Sequence, residues 1–202
     1  AAVNVQNAEL VSFPGVVGGN VQVNAISNSV TGAEALLTET MWRGEKFRIE
    51  LLGGYRYLRI RESLGITESL VVFSADDRDS RFGAAPGTAI VVGDQFDTKN
   101  EFQGLDVGVS GEIRGERWVL GITGKIALGW TQQEAHVAGN TRVTVPDQAT
   151  VDQLGGLLAL STNIGKHTRE KTALVPELAF HLGFQVTPNL QAYMGYTLLY
   201  WA

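Results

Sequence analysis

The chain contains no cysteine, which excludes disulfides and thiolate metal sites. It also lacks a run of the ~18 consecutive apolar residues that a membrane helix requires, and its mean hydropathy of +0.02 is that of an ordinary water-soluble domain. Neither property excludes a membrane β-barrel, in which lipid-facing and lumen-facing residues alternate and cancel in any average. Basic charge is scarce: 16 Lys and Arg stand against 21 Asp and Glu, a net charge of −5 that argues against nucleic acid as a partner. The chain opens on Ala1-Ala2 without a methionine or a signal peptide, as expected of an excised segment.

Glycine, by contrast, is plentiful. There are 24 glycines, well above the roughly 7% of average composition, and many interrupt apolar runs where a helix would suffer for them. Alternation with a period of two is the dominant pattern. Leu105, Val107, Val109 and Ile113 share one face, against Asp106, Ser110 and Glu112. Trp118, Leu120, Ile122, Ile126, Leu128 and Trp130 oppose Gly121, Thr123, Lys125, Ala127 and Gly129. Leu178, Phe180, Leu182 and Phe184 oppose Glu177, Ala179, His181, Gly183 and Gln185. Phe47, Ile49, Leu51, Tyr55 and Tyr57 oppose Arg48, Glu50 and Arg56, and a weaker alternation places Val21, Val23, Ala33, Ala35 and Leu37 against Glu34.

These patterns predict strands near 20–41, 46–63, 97–113, 117–134, 171–186 and 190–201, with a short one near 3–11. Several exceed the ~5–6 residues usual in globular sheets. Arg43-Gly44-Glu45-Lys46, Arg114-Gly115-Glu116-Arg117 and Thr187-Pro188-Asn189 have the chemistry of tight hairpin turns. The intervening links, 64–96 and 135–170, are far longer than ordinary loops. Strict alternation of short and long connections is the pattern of short periplasmic turns and long extracellular loops.

The expected architecture is therefore all-β: one antiparallel up-and-down transmembrane β-barrel domain over residues 1–202, with six to seven strands visible. Aromatic residues bound the apolar face. Phe47 to Tyr57 is ~33 Å of strand, which a tilt of ~40° reduces to the ~25 Å of an outer-membrane apolar band. Phe47, Tyr55, Tyr57, Trp118, Trp130, Phe184 and Tyr200 form the expected aromatic girdles. The polar face mixes charge with Gly, Ala, Ser and Thr, as a crowded barrel interior requires. Arg59 and Arg61 continue the Tyr57 face toward a long link, where anionic headgroups would lie. A soluble lipocalin-like barrel would share the alternation, but not the girdles or the loop asymmetry.

The segments LLGGYRYLRIRESLGITESL at 51–70, DQFDTKNEFQGLDVGVSGEIRGERW at 94–118, GGLLALSTNIGKHTREKTALVPELAF from 155 and VTPNLQAYMGYTLLYW up to 201 resemble the β-barrel outer-membrane protein family of planctomycete-type bacteria. The resemblance covers about 31–202. It implies a bacterial outer-membrane location, and closing strands beyond the LYW motif at the C-terminus. It supplies no catalytic or ligand residues.

The expected lumen-lining set is Glu34, Arg48, Glu50, Arg56, Asp106, Glu112, Lys125, Glu177 and His181. Mixed charge there would either select among solutes or neutralise itself in ion pairs that fill a narrow barrel. Outer-membrane lipid, and small solutes through the lumen, are the expected partners. An outer-membrane hydrolase would need a histidine beside a nucleophile. The candidates are His136 and His167 in the long links, but no GxSxG or HExxH motif occurs. Asp76, Asp77 and Asp79, with Asp94 and Asp97, form an acidic stretch whose spacing matches no EF-hand. Gly53-Gly54 and Gly155-Gly156 suit strand kinks or loop hinges, and a short helix or plug could lie within 152–161. No cofactor or metal is expected, and the expected role is non-enzymatic.

Overall fold

The computed structural model describes residues 11–74 and 84–201, apart from the side chains of Ser27 and Asn28. Among them are seven strands in one antiparallel sheet: β1 (Val17–Arg43), β2 (Phe47–Val72), β3 (Ala89–Arg114), β4 (Trp118–Thr144), β5 (Val151–Leu154), β6 (Gly165–Thr187) and β7 (Leu190–Leu199). The order is β1-β2-β3-β4-β6-β7, with β5 paired to β4. The sheet is not closed, β1 and β7 being its two ends. The turns at Gly44 and Gly115 are tight: the amides of these glycines donate to the carbonyls of Phe47 and Trp118 at 2.9 and 2.8 Å. Between β6 and β7 only Pro188 and Asn189 intervene, and the register runs from Thr187↔Leu190 to Glu177↔Leu199 with one irregularity near Gln185.

Contacts divide the chain into two units, and several strands pass through both. One comprises Ser29–Ile60, Lys99–Gln133 and Thr168–Ala202. Its outward face carries the apolar set expected from alternation. Leu105, Val107, Trp118, Leu120, Ile122, Leu128, Trp130, Phe180, Leu182 and Phe184 are all exposed. Arg56, Asp106 and Lys125 are buried on the opposite face. Charge inside and apolar side chains outside is the reverse of a soluble fold, and so continuous an exposed apolar surface needs an apolar medium.

The other unit comprises Ala1–Asn28, Arg61–Thr98 and Glu134–His167, and there an apolar cluster is buried although Val21, Val23 and Ile26 remain exposed. Val16, Val17, Leu70, Val72, Ile90 and Val92 form a buried apolar cluster, with Val11, Ala84 and Val143 against it. On β3 the parity is unbroken: even-numbered positions are inward from Ile90 and Val92 to Asp106, while the odd ones change from Gln95, Asp97, Lys99, Glu101 and Gln103 to Leu105, Val107 and Val109. On β2 the outward change falls between Tyr57 and Arg59, and on β4 between Trp130 and Gln132. On β2, β3 and β4 the outward residues therefore change between apolar and polar along the strand while the inward parity is kept.

The strands run further than alternation suggests, and the long links are correspondingly shorter. The expected link 64–96 contracts to 73–88, and 135–170 contains the end of β4, the whole of β5 and the start of β6. Beyond the apolar band the faces no longer differ consistently in polarity, so the backbone pairs without a hydrophobic signature. His136 and His167 accordingly lie on β4 and β6 rather than in loops, and Asp94 and Asp97 lie on β3 rather than in an acidic loop. The expected strand at 3–11, except Val11, and Asp76, Asp77 and Asp79 fall outside the described residues.

Candidate functional site

Alternation sends Glu34 of β1, Arg56 of β2, Asp106 of β3, Lys125 of β4 and Glu177 of β6 to the inner face, and the structure joins all five into one network. The Arg56 guanidinium bonds Glu34, and its Nη2 lies 2.7 Å from both Asp106 Oδ2 and Glu177 Oε2. Lys125 Nζ donates to Glu34 at 2.7 and 2.8 Å and stands 3.1 Å from Glu177 Oε1. Five strands contribute one charged side chain each. Glu34 and Lys125 stand on strands separated by two others in the sheet order, so their direct contact requires this part of the sheet to curl toward its inner face. Asp106 is fully buried and Arg56 2% exposed. At such depth a charge persists only when it is paired, and three carboxylates share two cations here.

The remaining members of the expected set form a second, more exposed group. Arg48 Nε lies 3.4 Å from Glu50 and its Nη2 4.0 Å from Glu112, while His181 Nε2 lies 3.9 Å from Glu112. Arg114, which the sequence reading did not single out, adds a 2.5 Å bond to Glu112. Gly121 makes room for this group, because a Cβ there would collide with the His181 ring.

An apolar group also occupies the inner face. Phe102, Ala127, Ala173 and Val175 are buried together, with Leu58 and Trp201 packed against them. The Phe102 and Trp201 rings meet edge-on at 6.1 Å, and Trp201 Nε1 donates to Thr131 at 3.0 Å. Alternation placed Ala127 on this face, but sequence reading missed Phe102, because an inward Phe on a polar face is indistinguishable from noise in a period-two pattern. The one available signal was Trp201 itself, an aromatic just past the end of a strand.

On the outward face of the same unit, Tyr57 donates to Glu101 at 2.7 Å and Tyr55 to Gln103 at 2.9 Å. Lys99 Nζ is 2.6 Å from Glu101, and Arg59 3.9 Å. A polar ladder therefore begins where the apolar side chains stop. Of the other expected girdle residues, Phe47, Trp118, Trp130 and Phe184 are exposed on strands, whereas Tyr200 is exposed just beyond β7.

His167 Nε2 contacts the Asn163 carbonyl at 2.8 Å, and no group of three metal-capable His, Asp or Glu side chains occurs among the described residues. Asp94 is engaged instead by backbone amides: Ala159 N donates at 2.8 Å, with Leu157 N and Leu158 N at 3.1 and 3.2 Å. Near it on the inner face, Glu68 of β2 is 3% exposed and neither carboxylate oxygen has a hydrogen-bond partner. Burial pushes the Glu68 carboxyl above its ordinary range, and the Asp94 charge adds to the effect.

No curated protein matches this sequence. The whole chain, residues 1–202, matches the family model described as "Putative beta barrel porin-7 (BBP7)". With its all-strand sheet, apolar outward band and charged inner face, the chain belongs to this β-barrel porin family.

Proposed function

We propose that the chain forms the wall of a bacterial outer-membrane pore that passes small hydrophilic solutes, with a preference for cations and without enzymatic activity. The observation that carries this reading is the inner face of the apolar-banded unit. Five carboxylates there (Glu34, Glu50, Asp106, Glu112 and Glu177) face four strand-borne cations, Arg48, Arg56, Arg114 and Lys125, which leaves an excess of one negative charge. An inner face with excess negative charge raises local cation concentration and repels anions.

A second reading is supported by a specific feature. Arg56 and Asp106 are almost wholly buried, and the layer of Phe102 and Trp201 adds apolar bulk to the same face. A barrel filled in this way is a structural element rather than a channel.

Conductance of the full protein in a planar lipid bilayer separates the two. Discrete steps with cation preference, strengthened in Lys125→Glu, support the pore. Inserted, folded protein that is electrically silent supports the filled barrel.

A further inference from the structure

The segment between β5 and β6, residues 155–164, is fastened to the inner face of the sheet. Asp94 and Gly139 both project inward, from β3 and β4. Three consecutive amides of the segment, those of Leu157, Leu158 and Ala159, converge on the Asp94 carboxylate. A Cβ at Gly156 would drive into Asp94 Oδ1, and one at Gly139 would lie 2.6 Å from Ala159 Cβ. Gly155 N donates to the Gly139 carbonyl at 3.0 Å, and Thr141 Oγ1 to the Gly155 carbonyl at 2.7 Å. Asn163 closes the turn, accepting from Leu160 N at 2.8 Å and donating to the Leu158 carbonyl at 2.9 Å. Gly155 and Gly165, at the two ends, have φ of +114° and +126°, a backbone that other residues adopt only with strain.

A segment tied down this firmly has one buried side and one free side. Ala159 is the buried contact, fully inaccessible. Leu157, Leu158 and Leu160 are 45–51% exposed. Because the segment lies on the inner face, its free side looks into the space that face borders. Three leucines in an aqueous path oppose the passage of hydrated ions, whose shells cannot be replaced there, more than that of solutes with an apolar body.

We propose that residues 155–164 form an apolar constriction of the pore, positioned by Asp94, and that Leu157, Leu158 and Leu160 determine its specificity. They favour organic cations with an apolar part over inorganic cations. This inference rests on the pore reading.

The test uses the full protein in planar bilayers, with propylammonium and potassium as probes. In Leu157→Ser/Leu158→Ser/Leu160→Ser, potassium conductance should rise at least twofold and the propylammonium-to-potassium permeability ratio should fall. Asp94→Asn, which weakens the grip on the amides, should give larger and noisier steps. Since the chain has no cysteine, Leu158→Cys offers a variant with little risk to folding. A cationic thiol reagent should reduce its current stepwise and leave the parent protein unaffected. Conduction that none of these changes alters would overturn the constriction while leaving the pore intact. A parent protein and variants that all insert yet stay silent would overturn the pore reading itself.

Discussion

Replacing Arg56 by Met keeps most of the side-chain length and removes the charge that holds three carboxylates. Lys125 still reaches Glu34 and Glu177, so the orphan is Asp106, whose Oδ2 lies 2.7 Å from the lost guanidinium and which is fully buried. At an effective dielectric of about 20, one pair at ~4 Å is worth about 4 kcal/mol before desolvation. Breaking a buried pair from one side costs about 3–5 kcal/mol. The folding equilibrium should therefore fall by a factor of about 10²–10⁴. Guanidinium unfolding from lipid vesicles, followed through the exposed Trp118 and Trp130, reads this directly. Arg56→Met/Asp106→Leu should recover most of the loss, because a buried ion pair exchanged for apolar side chains is often close to neutral. The coupling in this double-mutant cycle should exceed about 2 kcal/mol. A single-variant cost below about 1 kcal/mol, or strict additivity in the double variant, would refute the claim that the network is a buried, mutually dependent unit.

Three further outcomes are expected. Glu68 has a raised folded-state pKa, so the native state binds more protons than the unfolded chain above the ordinary glutamate value. Stability should then fall as pH rises through the interval from about 4.5 to the raised value, and Glu68→Gln should flatten that slope in melts taken from pH 4 to 8. A Cβ at Gly129 would be driven into the Gln103 carbonyl, whereas one at Gly124 meets nothing within 4 Å; Gly129→Val should cost about 2–4 kcal/mol and Gly124→Ala almost nothing in the same unfolding assay. In single-tryptophan variants, bromine-labelled lipid should quench Trp118 and Trp130 strongly and Trp201 weakly, because Trp201 packs inward against Phe102.

The sequence was most legible where physics forces the two faces of a strand to differ. Leu105 to Ile113, Trp118 to Trp130 and Leu178 to Phe184 lie in the apolar band, where every outward residue must be apolar and every inward one polar or small, and there the pattern predicts both strand and face. Outside the band that constraint lapses. Around Gln95, Asp97 and Lys99 the outward face is polar, and around Ile90 and Val92 the inward face is apolar, so the same strand inverts its signature and the two halves cancel in any window. The charged inner set could be named because Glu34, Arg56, Asp106, Lys125 and Glu177 each sit opposite apolar neighbours. Their union in one network depended on strand order and registry, which residue pattern leaves open. The Asp94 contact was invisible for another reason: its partners are backbone amides, whose identity leaves no mark in the sequence beyond the two glycines, Gly139 and Gly156, that make room for it.

The central claim is that outward residues of the banded unit meet lipid and inward residues meet water. The direct measurement is thiol accessibility in protein inserted into vesicles, with one cysteine placed at Leu120 and another at Thr123 of this cysteine-free chain. Leu120→Cys should react with lipid-soluble reagents alone, and Thr123→Cys with water-soluble ones. The reverse pattern would contradict the account, because it would place the charged network on the outside of the wall.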